Sequence, residues 1–251
     1  MLKQKSFMQL AKGSLGETTF VKSKDGYRAQ VKREMDKTKF KTDPAFQRVR
    51  ENNSEFGTAT QVGKLLRYSI NPLIPTGNDG RLVSRLIKAV MKVIKSDTVS
   101  PSGKRNFLDG NLKFVREFEI NDSTVKRAFK YIIPAVINRV SGELSVVMPA
   151  FSPKAAIVAP AGVTHFELVS AGTELDVEGI TYKTDTKSSG ILPIDSTPLV
   201  VNQVNHVTGN STHPLMIVFG VKFHEQESNG TIRPFHEGKE DALQIVVIDK
   251  P

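Results

Sequence analysis

Near residue 100 the spacing of apolar residues changes, and that change limits what the chain can fold into. Upstream, apolar side chains recur at steps of three and four, the period of a helix; downstream they alternate with polar ones, the period of a strand. Residues 111–120, 143–149, 164–170, 179–184, 199–204, 215–224 and 243–248 each read as a strand. Gly, Pro, Asn and Asp separate them, and no helical stretch intervenes. Short strands in this order predict an antiparallel two-sheet β-sandwich, jelly-roll-like, over 100–251. Ser228-Asn229-Gly230-Thr231 offers a hairpin turn after the longest strand. The last strand stops two residues before Pro251, which would tie the C-terminus into a sheet.

The upstream part predicts two helices. Asp43 can cap free N–H groups, and Pro44 suits a first helical turn, where its missing N–H costs nothing. Phe46, Val49, Phe56, Ala59, Gly63, Leu66 and Ile70 then follow helical steps and predict one buried stripe, with Arg48, Glu51, Glu55, Lys64 and Arg67 opposite. Gly57 and Gly63 lower helix propensity by about 1 kcal/mol each, so a close helix crossing is the expected reason for them. Asn71-Pro72 ends this helix, and a second runs from Arg81 to Lys95 with Leu82, Leu86, Ala89, Val90 and Val93 inward. Before the helices, 18–21 and 27–31 are β-prone and flank Lys24-Asp25-Gly26, a hairpin turn signal. Residues 32–42 are densely charged and predict an exposed arm. The fold class is therefore α+β: a basic arm with a β-hairpin over 1–41, a helical hairpin over 42–99, and the sandwich over 100–251.

Charge divides along the same line. Residues 1–130 hold 27 Lys and Arg against 13 Asp and Glu, and residues 131–251 hold 8 against 13, giving +14 and −5 within a net charge of +9. A chain so polarised attracts its own copies head to tail and repels them basic face to basic face. Aromatics are scarce among the basic residues of this half, and no helix-turn-helix or ribonucleoprotein pattern occurs, so nucleic-acid association rests on charge alone. No apolar run approaches the roughly 20 residues of a membrane span, and the N-terminus has no signal-peptide core, which predicts a cytoplasmic protein, or one released by lysis or exported without a cleaved signal. The absence of cysteine excludes disulfides, thiolate metal sites and cysteine nucleophiles.

Catalytic patterns are missing. The histidines, His165, His206, His213, His224 and His236, form neither His-x-His nor His-Glu-x-x-His. His165 and Glu167 share a strand face, as in cupin sites, but Val163 stands where a paired histidine would be needed. His224 and Glu225 are adjacent and point to opposite faces of a strand. Gly13-Ser14-Leu15-Gly16 is too short for a nucleophile elbow, and Gly63-Lys64 sits inside a helix, where N–H groups cannot face a phosphate. Asp176, Glu178, Asp185 and Asp195 could supply a carboxylate pair, with no spacing that selects one. The expectation is a non-enzyme without cofactor, metal or catalytic residue.

Lys24-Asp25-Gly26-Tyr27, Asp43-Pro44-Ala45-Phe46-Gln47-Arg48-Val49-Arg50-Glu51-Asn52, Glu55-Phe56-Gly57, Gly63-Lys64-Leu65-Leu66-Arg67 and Pro160-Ala161-Gly162-Val163-Thr164-His165-Phe166 together resemble a group of uncharacterised bacterial proteins. The resemblance implies a bacterial protein with a small helical front and a strand-rich back, and carries over no active residue. The expected function is a structural subunit that assembles into a homopolymeric filament, tube or particle, phage-like in kind, through head-to-tail charge contacts and the N-terminal arm. The expected contact residues are Phe20, Tyr27, Arg28, Lys32, Arg33, Lys37, Lys39, Arg48 and Arg50, and the partner is the chain itself. The alternatives are a sandwich binding carbohydrate or protein through loops near 184–196 or 207–213, disfavoured by the absence of tryptophan, and nucleic-acid association through the basic half.

Overall fold

A computed structural model describes residues 13–23, 26–31, 37–75 and 80–251. The chain divides into two units, Met1–Arg50 and Glu51–Pro251. In the first, β1 (Gly13–Leu15), β2 (Thr18–Ser23) and β3 (Gly26–Val31) form an antiparallel meander. The expected hairpin is β2–β3, with Thr18 opposite Val31 and Ser23 opposite Gly26; the turn residues Lys24 and Asp25 lie outside the described residues. The expected arm instead forms a short helix at its end, α1 (Lys37–Thr42). Asp43 then caps as expected: its Oδ1 accepts the Ala45 N–H at 2.9 Å at the start of a 3-10 turn, Pro44–Phe46. Helix α2 (Gln47–Ser69) follows and crosses into the second unit.

The second unit continues with α3 (Leu82–Lys95), β4 (Phe118–Glu119), α4 (Val125–Ala128), β5 (Ala135–Asn138), β6 (Glu143–Phe151) and α5 (Pro153–Ala156). Then come β7 (His165–Asp176), β8 (Thr181–Ser188), β9 (Leu192–Pro193), β10 (Leu199–His206), β11 (Leu215–Gln226), β12 (Ile232–Pro234) and β13 (Ala242–Asp249). The strands form two antiparallel sheets. One has the order β10-β6-β5; the other runs β4-β13-β11-β7-β8, with β12 on β11 and β9 on β7. The fold is α+β with a sandwich-like sheet pair, and helices cover the outer face of the larger sheet.

Strand β11 shows how the layers are held. Leu215, Ile217, Phe219, Val221 and Phe223 pack toward the smaller sheet, while Met216 and Val218 pack with α2 and α3. All seven are essentially inaccessible, so each contributes about 2 kcal/mol of apolar burial. The expected inward stripe of α3 is buried, with Ile94 added. In α2 the stripe is buried only from Ala59 onward, joined by Val62 and Leu65. Val49 and Phe56, expected inside, are 44% and 55% exposed. Glu55, expected outside, is buried and accepts the Gly103 N–H at 2.9 Å, anchoring the loop after α3. Gly63 is the close crossing: a Cβ there would stand 3.2 Å from Ile87 Cγ1 of α3, whereas one at Gly57 would meet nothing within 4 Å.

Residues 111–120 are not the expected strand. Asn111 caps a 3-10 turn at Leu112–Phe114, and only Phe118 and Glu119 pair with β13. Leu112, Val115 and Ile120 are buried at helical rather than alternating spacing, and Glu117 turns the chain at φ +62°. Asp97 braces the preceding loop. Its carboxylate accepts N–H groups from Ser100, Asn106 and Val99, which together hold its pKa down at about 2 against burial.

The two sheets approach closely at Gly172. A Cβ there would lie 2.5 Å from Asn205 Cβ and 3.1 Å from Leu144 Cβ. Beside it a polar seam ties β10 to the larger sheet: Ser170 Oγ donates to Asn205 Oδ1 at 2.8 Å, Asn205 Nδ2 to the Asp185 carbonyl at 2.8 Å, and Gln203 Nε2 to the Leu168 carbonyl at 2.7 Å. Gly172→Val wedges this seam open, and urea titration is expected to show a loss of about 3 kcal/mol. Gly57→Ala, in open space on a helix, is expected to gain up to about 1 kcal/mol in the same assay.

Candidate functional site

On the helix side of the larger sheet, the apolar face gives out at one end. Along β11 that face reads Met216, Val218, Gly220, Lys222, His224, while the opposite face stays apolar through Phe223. Strand register sets Glu167 opposite Lys222 and His165 opposite His224. Helices α2 and α3 do not cover these polar positions. The chain after α2, at Ile74 and Pro75, and the segment between β12 and β13 instead enclose a cavity of about 810 Å³ over them.

Two carboxylates and a histidine define its floor. His224 is 5% exposed, and its Nε2 stands 3.4 Å from Glu167 Oε2. Glu167 Oε1 accepts the Ser188 hydroxyl at 2.6 Å. The His224 ring, then Ser188 and Lys222, hold Glu167 below the usual carboxylate range against the effect of burial. Both His224 ring nitrogens, Nδ1 and Nε2, are buried without a hydrogen-bond partner, and Nε2 meets Glu167 only at ion-pair distance. Asp241 is 3% exposed, and its Oδ1 accepts the Phe223 N–H at 2.9 Å. Burial pushes the Asp241 carboxyl up to about 6, outweighing that hydrogen bond and nearby Lys222.

The segment that delivers Asp241 is strained. His236, Glu237 and Gly238 have φ of +45°, +56° and +79°, three left-handed residues in succession, of which only the glycine is suited to that region. A Cβ at Gly238 would collide with Pro75 and lie 2.8 Å from Asp241 Oδ2. The His236 ring stacks on Phe235 with centroids 3.9 Å apart.

The other sequence candidates do not converge here. Asp176 accepts the Gly179 N–H and Asp195 the Thr197 N–H, both at 2.8 Å within turns, and Asp185 of β8 accepts the His206 N–H of β10 at 2.9 Å, so each carboxylate is engaged by nearby backbone. His213 Nδ1 lies 3.9 Å from Asp176 Oδ1, and His165 Nδ1 is 2.8 Å from Thr164 Oγ1. Among the described residues no group of three or more His, Asp or Glu side chains is placed to hold a metal ion, and no helix is long and apolar enough to cross a membrane.

Of the expected contact residues, Phe20 is half-buried in β2, Tyr27 and Arg28 lie in β3, and Lys37 and Lys39 lie in α1. Arg48 is exposed at the start of α2. Arg50 is engaged within its own unit, its Nη1 donating to the Phe40 carbonyl at 2.7 Å and the Asp43 carbonyl at 3.0 Å. Lys32 and Arg33 lie outside the described residues. The cavity group of Glu167, His224 and Asp241 has one sequence signal: polar residues at alternate positions, Lys222 and His224, interrupting one face of an otherwise apolar strand. No protein-family model, curated protein or solved structure matches the chain.

Asp241 gives a pH test. Its ordinary value is 3.8 and its folded value about 6, so as pH rises through this window the unfolded chain releases its proton first and folding loses stability. Asp241→Asn removes that loss. Urea unfolding is expected to show the wild type falling relative to the variant by about 2–3 kcal/mol between pH ~4 and pH ~7. Glu119, raised to about 7 by burial, titrates in both proteins and cancels in the difference.

Proposed function

We propose that the protein is a structural subunit that assembles with copies of itself into a filament, tube or particle. The observation that carries this is the first unit: no described side chain between Gly13 and Arg50 is buried. A three-stranded sheet whose described side chains are all at least partly exposed is marginal in water and gains stability when something covers it. Val21 and Val31 are 40% and 71% exposed, and among the described residues β1 and β3 pair only with β2, which leaves two open edges. The apolar stripe of α2 likewise begins before its cover does, leaving Val49 and Phe56 bare seven residues apart on one face.

The second unit supplies a complementary edge. Among the described residues strand β5 pairs only with β6, and around it Tyr131, Ile132, Val136 and Val147 are 52%, 91%, 60% and 48% exposed. An arm strand added to β5 of the next copy would join main-chain hydrogen bonds to apolar cover, and the +14 and −5 halves favour that head-to-tail order. The catalytic patterns that would compete with this reading are missing from the sequence.

Sedimentation velocity and negative-stain microscopy test it. The full chain is expected to gain mass with concentration and to lose it as salt rises from ~0.05 M to ~0.5 M. Val49→Glu with Phe56→Glu is expected to weaken assembly about tenfold or more with little change in Tm, because both side chains are already exposed in the single chain. A monomer at every concentration and salt overturns the proposal.

A further inference from the structure

The cavity beneath the segment between β12 and β13 has an excess of negative charge and an unused acceptor. Glu167, Glu225, Glu237 and Asp241 line it, against Lys222 and Arg233. Arg233 is engaged: its Nε meets Glu225 Oε1 and its Nη1 meets Glu227 Oε1, both at 2.9 Å. Lys222 faces Glu167 across the register. Among the described residues neither Asp241 nor Glu237 has an ion-pair partner within 4 Å.

His224 points independently to a ligand. It is buried and lines the cavity, yet neither ring nitrogen has a hydrogen-bond partner. In the neutral ring, a carboxylate facing Nε2 favours the proton on that nitrogen, which leaves Nδ1 as a lone-pair acceptor. An unmet buried acceptor costs about 1–3 kcal/mol, recovered when a donor arrives. An anion would meet repulsion from Asp241 and Glu237, and a neutral donor would leave their charge unbalanced. An ammonium group meets both needs, since it carries three N–H donors and a positive charge. Ile74, Pro72 and Pro75 line the same cavity and offer an apolar surface to methylene groups.

We infer that this cavity binds an aliphatic primary ammonium group, its N–H donors directed at His224 Nδ1 and the Asp241 carboxylate and its methylenes laid against Ile74 and Pro75. The group could belong to a free amine or to a lysine side chain of another copy; the recognition chemistry is the same. The burial of Asp241 outweighs the Phe223 N–H, Lys222 and His224 and raises its pKa to about 6, which fits a carboxylate with room for a further counter-charge from outside the chain.

Isothermal titration calorimetry of the full chain with putrescine as probe, and 1,4-butanediol as its uncharged counterpart, tests this. Putrescine is expected to saturate a single site below about 10 mM, with the diol at least about tenfold weaker. Asp241→Asn and His224→Asn are each expected to weaken putrescine about tenfold. Glu237→Gln, an exposed position that does not endanger folding, is expected to weaken it about threefold. Lys187→Ala, away from the cavity lining, is expected to leave it unchanged. Equal binding of the diol, binding indifferent to Asp241, His224 and Glu237, or no saturation overturns the inference. Sedimentation with and without putrescine separates the sources: release of monomers from an assembly marks a neighbour's lysine, and unchanged mass marks a free amine. A failure of self-assembly leaves the calorimetric result standing.

Discussion

Everything in the second unit depends on one strand having no wet side. Antiparallel sheets commonly leave one face to solvent, and their strands then alternate. From Leu215 to Val221, β11 is apolar or glycine at every position and buried at every position, so two separate layers must be recruited to cover it. The smaller sheet covers Leu215, Ile217, Phe219 and Val221; α2 and α3 cover Met216 and Val218. Gly220 lies where the side chain of Leu243 from β13 crosses, and a Cβ there would also meet the Ala242 carbonyl oxygen at 2.8 Å. The helices thus belong to the same unit as the sheets because they supply half the cover of its central strand.

Much of this was legible in the sequence. Alternation located half-buried strands such as β6 and β10, since such a strand records its environment at every second residue, and an unbroken apolar run located β11. The start of the first helix was legible at Asp43-Pro44 and the inward stripe of α3 at Leu82, Leu86, Ala89, Val90 and Val93. Three features were not. Residues 111–120 alternate by chance: Leu112, Val115 and Ile120 are buried, while Phe114 is 45% exposed in a turn capped by Asn111. Glu55 looks like surface because its partner, the Gly103 N–H, lies 48 residues away. The stripe of α2 shows which positions are apolar, not where the covering layer begins, and so Val49 and Phe56 were expected inside.

The cavity illustrates the same limit. His165, Glu167, Lys222 and His224 come together only through the β7–β11 register, and Asp241 arrives through a segment whose left-handed residues include His236 and Glu237, side chains that leave no such mark on the sequence. What the sequence does hold is the break in β11. After Val218 the helix-facing positions become Gly220, Lys222 and His224, while Val221 and Phe223 continue the other face. A strand that stays apolar on one face and turns polar on the other has lost one covering layer and kept the second.

That loss explains why a cavity forms there. Beyond the ends of α2 and α3, the sheet still needs a cover, and a loop provides it at the cost of backbone strain of about 1–3 kcal/mol for each left-handed non-glycine residue. The strain persists because the loop is fixed at both ends: Phe235 is buried in the core between the sheets, and Asp241 accepts the Phe223 N–H at 2.9 Å beside the closed contact of Gly238 with Pro75. A cover chosen only for stability would be met by an apolar side chain at 241. A buried carboxylate there, lining the same cavity as a histidine whose ring nitrogens have no hydrogen-bond partner, is costly by itself and favourable beside a cation, and that difference is what a binding site requires.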